Sequence, residues 1–370
     1  MKKDFVFLVH PRDRVDWENG FWPAHLIPGR KGLKWLGKKM KRKKLSTVEY
    51  KGINGHLLAV SLLPEQMFTK SGLPHKLAQQ YVLEACQFAI EELGVGVIGL
   101  GALIAPLTLG GKWLLDKLPS DIIVTNGNSL TAAMTVEGAQ EAAALKGWNL
   151  NSDTTIAILG ATGSVGTGVS NLLAEELVKP KLLLVGRSLR KLDALESELK
   201  TKNPQAEIET SANVADVRKA DLVIVLTSGP NVLLEAKHLG YETIVYDITQ
   251  PSNISPKILK KRHDLLVIDG ALVTTPGLDW GFDLRLPDET SFACLAETIF
   301  LAENSDDGYA SEDFTGPVRV ETARRMVREA RKHGFGHASL TSFRRPVVKQ
   351  AKGEVYLINE KYLTKMSLLL

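Results

Sequence analysis

From about residue 154 the chain alternates short, continuously apolar runs with amphipathic stretches. "TTIAILG" (154–160), "KLLLVGR" (181–187), "ADLVIVLTSG" (220–229), "ETIVYDIT" (242–249) and "DLLVIDGAL" (264–272) read as strands. Between them, "GVSNLLAEELV" (168–178) and "LRKLDALESELKT" (189–201) place apolar residues at helical spacing. Strands that are apolar on both faces and alternate with helices predict a parallel, doubly wound sheet. Before residue 150 the pattern is mixed. "DFVFLVH" and "HLLAVSLL" (56–63) read as strands, although the second leaves a helix open. "LPHKLAQQYVLEACQFAIEEL" (73–93) reads as a helix stopped by Gly94. "SDIIVTNGNSLTAAMTVEGAQEAAALKG" (120–147) reads as strand, polar turn and long helix. After 287 the alternation stops, and "PDETSFACLAETIFLAEN" and "GPVRVETARRMVREARKHGFG" (316–336) predict two helices that return to the first domain.

The expected organisation is thus α/β. A mixed α/β substrate domain (1–149) precedes a doubly wound parallel Rossmann domain (150–287), closed by C-terminal helices (288–340) and followed by an extension (341–370).

Two glycine patterns compete for a nucleotide. "GVGVIG" (94–99) matches G-x-G-x-x-G but follows a helix, so it is set aside. "GATGSVG" (160–166) directly follows a strand and opens a helix. There glycines let the backbone approach a pyrophosphate, and the helix N-terminus favours its charge. Gly160, Thr162, Gly163, Ser164, Val165 and Gly166 form the expected cradle. Thr227 and Gly270, at the ends of later strands, extend the cofactor edge. The second strand ends in Gly186-Arg187-Ser188, where an NAD site would carry Asp or Glu. Arg187 suits a 2′-phosphate, with Ser188 beside it, so NADPH is the expected cofactor.

Charge adds one feature. The net charge of +4 hides a run at 30–44, "RKGLKWLGKKMKRKK", with nine basic and no acidic residues. Such a run suits an anionic partner or membrane surface; its plain alternative is a solvated loop. Residues 93–111 are uncharged over nineteen positions, but six glycines and Pro106 argue for buried backbone rather than a span. The first residues lack a signal-peptide core, and two cysteines in 370 residues fit a reducing cytoplasm.

The chemistry narrows by exclusion. No tyrosine is followed four residues later by lysine, and no Cys/His cluster with zinc spacing occurs, so no metal is expected. Thiol chemistry remains. Cys294 follows Thr290 and Ser291, both suitable N-caps, which would place it in a first helical turn where a thiolate is favoured. The alternative is a small apolar residue in a buried helix, the role expected of Cys86.

The order and spacing of several segments extend this reading. "FACLAE", "VTNGNSLTA" (124–132), "LGATGSVG", "GLDW" (277–280), "RKHGF" (331–335), "FVFLVH" and "LLPEQM" together resemble the long-chain acyl-[acyl-carrier-protein] reductases over roughly residues 4–340. The resemblance implies NADPH-dependent reduction of an acyl thioester to a fatty aldehyde, with Cys294 as the acylated nucleophile. Asn126, Asn128 and Thr131 become candidate donors to the substrate oxyanion. Acyl carrier protein or acyl-CoA is the implied donor, and no nucleic acid is expected. The dense run at 30–44 and the tail from 341 depart from the family. An NADP-dependent amino-acid or semialdehyde dehydrogenase, and a non-catalytic dinucleotide-binding sensor or scaffold, remain alternatives.

Overall fold

In a computed structural model the protein is described at all residues except 1, 70, 152, 228–233, 350–354, 359–362 and 366–370. It divides into two compact units, residues 1–130 with 275–335, and residues 131–274 with 336–370.

The first unit is built on a five-stranded mixed sheet. In chain order its strands are β1 (Phe5–Val9), β2 (Arg42–Tyr50), β3 (Ile53–Val60), β4 (Val97–Leu100) and β5 (Ile123–Thr125); in space they run β2-β3-β1-β4-β5. Only β2 is antiparallel to its neighbour. Helices α1 (Arg14–Gly20), α2 (Gly29–Met40), α3 (Lys76–Leu93) and the short α4 (Ile104–Leu107) lie between these strands in the chain. Leu93 hands over to Gly94, whose left-handed backbone (φ +67°) stops α3 as a C-cap. That capping role, followed by β4, accounts for the rejected glycine motif. The uncharged segment after it is packed core: Val97, Ile98, Leu100, Leu103 and Ile104 are buried. No described helix is long and apolar enough to cross a membrane.

The basic run is not a loop. It forms α2 and the start of β2. Leu33 is buried with Trp17, Ala24 and Leu63, while Leu36 and Met40 pack against the same cluster. Gly37 brings α2 close to the chain: a methyl group there would lie 1.9 Å from the Ser61 carbonyl oxygen. The first basic residues of β2 are stacked on aromatics, with Arg42 4.4 Å from the Phe88 ring centre and Lys43 4.8 Å from that of Phe21.

The second unit carries the parallel sheet. Strands β6 (Thr155–Leu159), β7 (Lys181–Val185), β8 (Glu207–Ser211), β9 (Leu222–Val225), β10 (Ile244–Asp247) and β11 (Leu266–Asp269) are ordered β11-β10-β9-β6-β7-β8. The order reverses between β6 and β9, the position where open α/β sheets bind ligands beyond their strand ends. Helices α6 (Ser164–Glu176) and α7 (Leu189–Lys202) connect β6 to β7 and β7 to β8.

The boundaries differ from expectation: residues 275–287 belong with the first unit rather than with the Rossmann domain, and residues 336–340 with the second. The helix α5 (Asn128–Leu145) passes into the second unit from Thr131, so the division falls at 130/131 rather than 149/150. The reason is a set of contacts distant in sequence: Gly138 lies where a side chain would strike the Tyr246 hydroxyl and His337 Nε2. The Tyr246 hydroxyl shares a 3.0 Å hydrogen bond with His337 Nε2, and His337 Nδ1 is 2.9 Å from Glu141. Further on, Thr341–Ser342 is a strand antiparallel to β11. Asp269 pins it by accepting from the Thr341 hydroxyl (2.8 Å) and the Arg344 N–H (2.6 Å). The segment from 341 therefore begins as an added sheet edge; part of it lies outside the described residues.

The close approach at Gly37 predicts that Gly37→Ala lowers stability by about 1–3 kcal/mol, because overpacking outweighs a helix-propensity gain of about 1 kcal/mol. Denaturant unfolding checks this; an unchanged or raised midpoint would contradict it.

Candidate functional site

Cys294 is the second residue of helix α8 (Ala293–Glu303). The N-cap is Phe292, which has no capping side chain, and Thr290 and Ser291 belong to a short strand instead. The helix packs on the first unit's sheet, where Gly99 leaves room for Thr298. Beyond α9 (Ser311–Phe314), its far end is braced by the "RKHGF" segment, which closes α10 (Val320–Lys332) and runs to Phe335. Phe335 lies 5.3 Å from Phe300 between ring centres, and His333 Nε2 is 3.0 Å from Glu303.

The "TNGN" turn between β5 and α5 is seated against Cys294. Gly127 has φ +69°, and a Cβ there would lie 2.2 Å from the cysteine Cβ. No other residue fits without displacing the thiol-bearing turn. Asn126, expected as an oxyanion donor, uses its amide otherwise: Nδ2 donates to the carbonyls of Gly110 and Gly316, both at 3.1 Å. Its Oδ1 accepts from the Asn128 N–H at 2.9 Å. Asn126 therefore shapes the turn. Asn128 is half-buried at the first position of α5. Thr131 is buried in the second unit, and its carbonyl accepts from the Thr135 hydroxyl.

The residue that joins these segments was not singled out from the sequence. Glu297 is fully buried and one turn beyond Cys294 on α8. Its Oε1 accepts from the Thr125 hydroxyl at 2.6 Å, and its Oε2 accepts from the Leu130 N–H at 2.7 Å. The carboxyl thus satisfies a free donor at the start of α5 while tying β5 and α8 to it. The available signal was one acid within the apolar run "FACLAETIFLA".

Burial raises the Glu297 pKa from 4.5 to about 7, against the lowering effect of its hydrogen bonds to Leu130, Thr125 and Ser129. The Cys294 thiol is pushed up to about 12, first by burial and then by the Glu297 charge. The expected helix-start thiolate is therefore corrected: desolvation outweighs the dipole. The nearby Glu289 is occupied otherwise, accepting from the Gly277 N–H. Cys86 is fully buried and also pushed up to about 12 by burial.

In the second unit the glycine loop has the shape a dinucleotide needs. Gly160 has φ +96°, and a Cβ there would meet the Leu226 carbonyl at 2.9 Å and the Thr227 nitrogen at 3.2 Å. A Cβ on Gly166 would lie 2.2 Å from the Gly160 oxygen, so only glycine lets α6 start this close to β6. Gly163 caps α6 and is exposed; Thr162, Ser164 and Val165 are half-buried around it. Gly186 lies within reach of Thr162, which sets the exposed Arg187 and half-buried Ser188 beside the loop. The Thr227 hydroxyl is buried with no partner among the described residues. Gly270 sits apart from this group; it packs against Tyr246, and its N–H donates to the Asp247 carbonyl. The open glycine cradle and Arg187, which has no partner among the described residues, fit a phosphorylated dinucleotide. Among the described residues, no cluster of three or more metal-ligating side chains occurs.

The profile of the shikimate/quinate 5-dehydrogenase family matches residues 139–269. A long-chain acyl-[acyl-carrier-protein] reductase of Synechococcus elongatus is 24% identical over 298 residues, covering 77% of this chain and 83% of that protein. Aminotransferase PigE of a Serratia species is 26% identical over 278 residues; the match covers 70% of this chain but 30% of PigE. Among solved structures, shikimate 5-dehydrogenase from Listeria monocytogenes gives a TM-score of 0.36 at 11% identity, covering 87% of this chain and 96% of that one. Malic enzyme from Entamoeba histolytica gives 0.38 at 17%, covering 91% and 71%. The sheet, its glycine cradle and these sequence matches define an NAD(P)-dependent oxidoreductase of the Rossmann type.

Two outcomes are expected for Glu297→Gln. A carboxyl whose folded pKa is raised stabilises the fold below its unfolded value and loses that contribution as pH rises through the folded value. Wild-type stability should therefore fall, relative to the variant, by on the order of 3 kcal/mol as pH rises from about 4.5 to beyond about 7. A pH-independent difference in denaturant unfolding would contradict the raised pKa. Removing the charge should also lower the Cys294 pKa and speed its alkylation by iodoacetamide near neutral pH, with buried Cys86 as the slow reference. Slower alkylation would mean the carboxylate favours the thiolate instead.

Proposed function

We propose that the protein reduces a long-chain acyl thioester, carried on acyl carrier protein or coenzyme A, to a fatty aldehyde with NADPH. One observation chiefly supports this reading. The "TNGN" turn and the "FACLAE" helix start, 168 residues apart from Asn126 to Cys294, converge on one thiol and are locked by Glu297. The similarity to an acyl-carrier-protein reductase over most of both chains supports it further.

In this mechanism Cys294 Sγ attacks the thioester carbonyl. The acyl group moves to sulfur, and the donor's thiol leaves with the proton that Cys294 gives up. The high thiol pKa means the nucleophile rests protonated, so its proton must be given up as the acyl bond forms. Gly127 keeps the turn tight against the cysteine, and Asn126 holds that turn rigid through its two carbonyl contacts. Gly160, Gly163 and Gly166 would hold the cofactor pyrophosphate, and Arg187 its 2′-phosphate. Bound NADPH supplies the hydride that converts an acyl thioester to an aldehyde.

A second reading is oxidation of a hydroxyl on a small cyclic acid, favoured by the family match at residues 139–269. It covers the nucleotide-binding sheet and leaves Cys294 without a role.

Incubation with long-chain acyl-CoA in the absence of NADPH should add one acyl group to the intact mass, and Cys294→Ala should remove both adduct and aldehyde formation. Shikimate or quinate oxidation that survives Cys294→Ala would establish the second reading. Arg187→Ala should weaken NADPH binding by roughly tenfold or more and leave NADH nearly unchanged, since a charge-assisted contact contributes about 1.5–3 kcal/mol. Equal losses for both cofactors would place Arg187 away from the 2′-phosphate.

A further inference from the structure

The lobe formed by the Trp22–Leu26 turn and α2 presents an unusual surface. Its inner side is accounted for by the cluster of Trp17, Ala24, Leu33 and Leu63. Its outer side exposes Trp22 (69%), Leu26 (72%) and Trp35 (60%) to solvent. Lys31, Lys38 and Lys39 are one turn from Trp35 on α2, at i−4, i+3 and i+4, and are exposed. No described carboxylate pairs with these three lysines. The neighbouring Arg30 and Lys34, in contrast, both pair with Glu65, at 2.6 and 2.9 Å, and Lys41 pairs with Glu84.

We propose that this lobe seats the protein peripherally on an anionic lipid bilayer. Indole rings partition to the bilayer–water interface, and lysines one turn from Trp35 are attracted to acidic headgroups. The choice of cation separates a bilayer from an acidic protein. Protein interfaces favour arginine, which binds carboxylates in a fixed bidentate geometry, and are depleted in lysine. Here Arg30, the arginine of α2, is already paired, and the cations of the helix without a partner among the described residues are lysines, mobile point charges suited to a diffuse negative surface. The lobe needs neither Cys294 nor the cofactor, so this proposal stands apart from the reading of the active site.

Co-sedimentation of the full chain with vesicles tests it. Phosphatidylcholine vesicles containing phosphatidylglycerol should bind the protein, pure phosphatidylcholine should not, and added salt should release it, as expected for exposed charges. Lys31→Ser/Lys38→Ser/Lys39→Ser should lose on the order of a hundredfold in vesicle affinity. Trp22→Ser/Trp35→Ser should weaken binding while keeping its salt dependence. All five residues are exposed, so circular dichroism and the unfolding midpoint should match the parent protein. Absent binding to the anionic vesicles, equal binding to neutral ones, or a lysine variant that binds like the parent would each overturn the proposal. So would a lysine-dependent complex with acidic acyl carrier protein in the absence of vesicle binding, which would make the lobe a protein dock.

Discussion

The first unit depends on one buried carboxyl. Glu297 joins three elements that are distant in sequence: the end of β5 through Thr125, the start of α5 through Leu130, and α8, on which it sits. An unpaired carboxyl at this depth would be costly, and the donors it satisfies would be costly without it. The arrangement is therefore mutually determined. The turn from Thr125 to Asn128 is held at one end by Glu297 and in the middle by Asn126, and its glycine is pressed onto Cys294. Position along the chain and position around the thiol become a single constraint.

Each unit meets the problem of close approach with glycine, but for different ends. At Gly127 the missing side chain lets a backbone turn contact a cysteine. At Gly160 and Gly166 it lets a helix begin against the strand end, where its N-terminus favours an anion. At Gly37 and Gly138 it lets a helix lie flat on its neighbours. Only the cradle glycines recur at a spacing that a sequence pattern can capture. The others depend on partners many residues away and are invisible in isolation.

The Rossmann sheet was legible because parallel strands buried on both faces leave unbroken apolar runs, as in "TIAIL" and "KLLLV". Its edge strand β8, "EIETS", alternates polar and apolar residues and left no such run. Strand β2 was hidden for a related reason: Arg42 and Lys43 set their cationic heads over the Phe88 and Phe21 rings, so charge masked a packed strand. The domain boundary was misplaced because α5 is one continuous helix. Where it changes allegiance is decided by Gly138, Glu141 and their contacts with Tyr246 and His337, none of which is local. Cys294 could be picked out from its motif, whereas its protonation state required the fold.

That protonation state is a contest of magnitudes. A helix N-terminus favours an anion by about 0.3–1 kcal/mol at exposed positions and by up to about 2 in partly buried ones. Raising a thiol from 9.0 to about 12 corresponds to roughly 4 kcal/mol in the opposite direction. Placement in the first turn of α8 therefore cannot by itself yield a thiolate. Burial acts first, and the neighbouring carboxylate adds to it whenever Glu297 is ionised. Burial likewise pushes the Glu297 carboxyl up to about 7, so its charge adds to the burial that keeps the thiol protonated only where the carboxyl is ionised. The same carboxyl that fixes the geometry of the turn thus sets the electrostatics of the cysteine, and a substitution that alters one must alter the other.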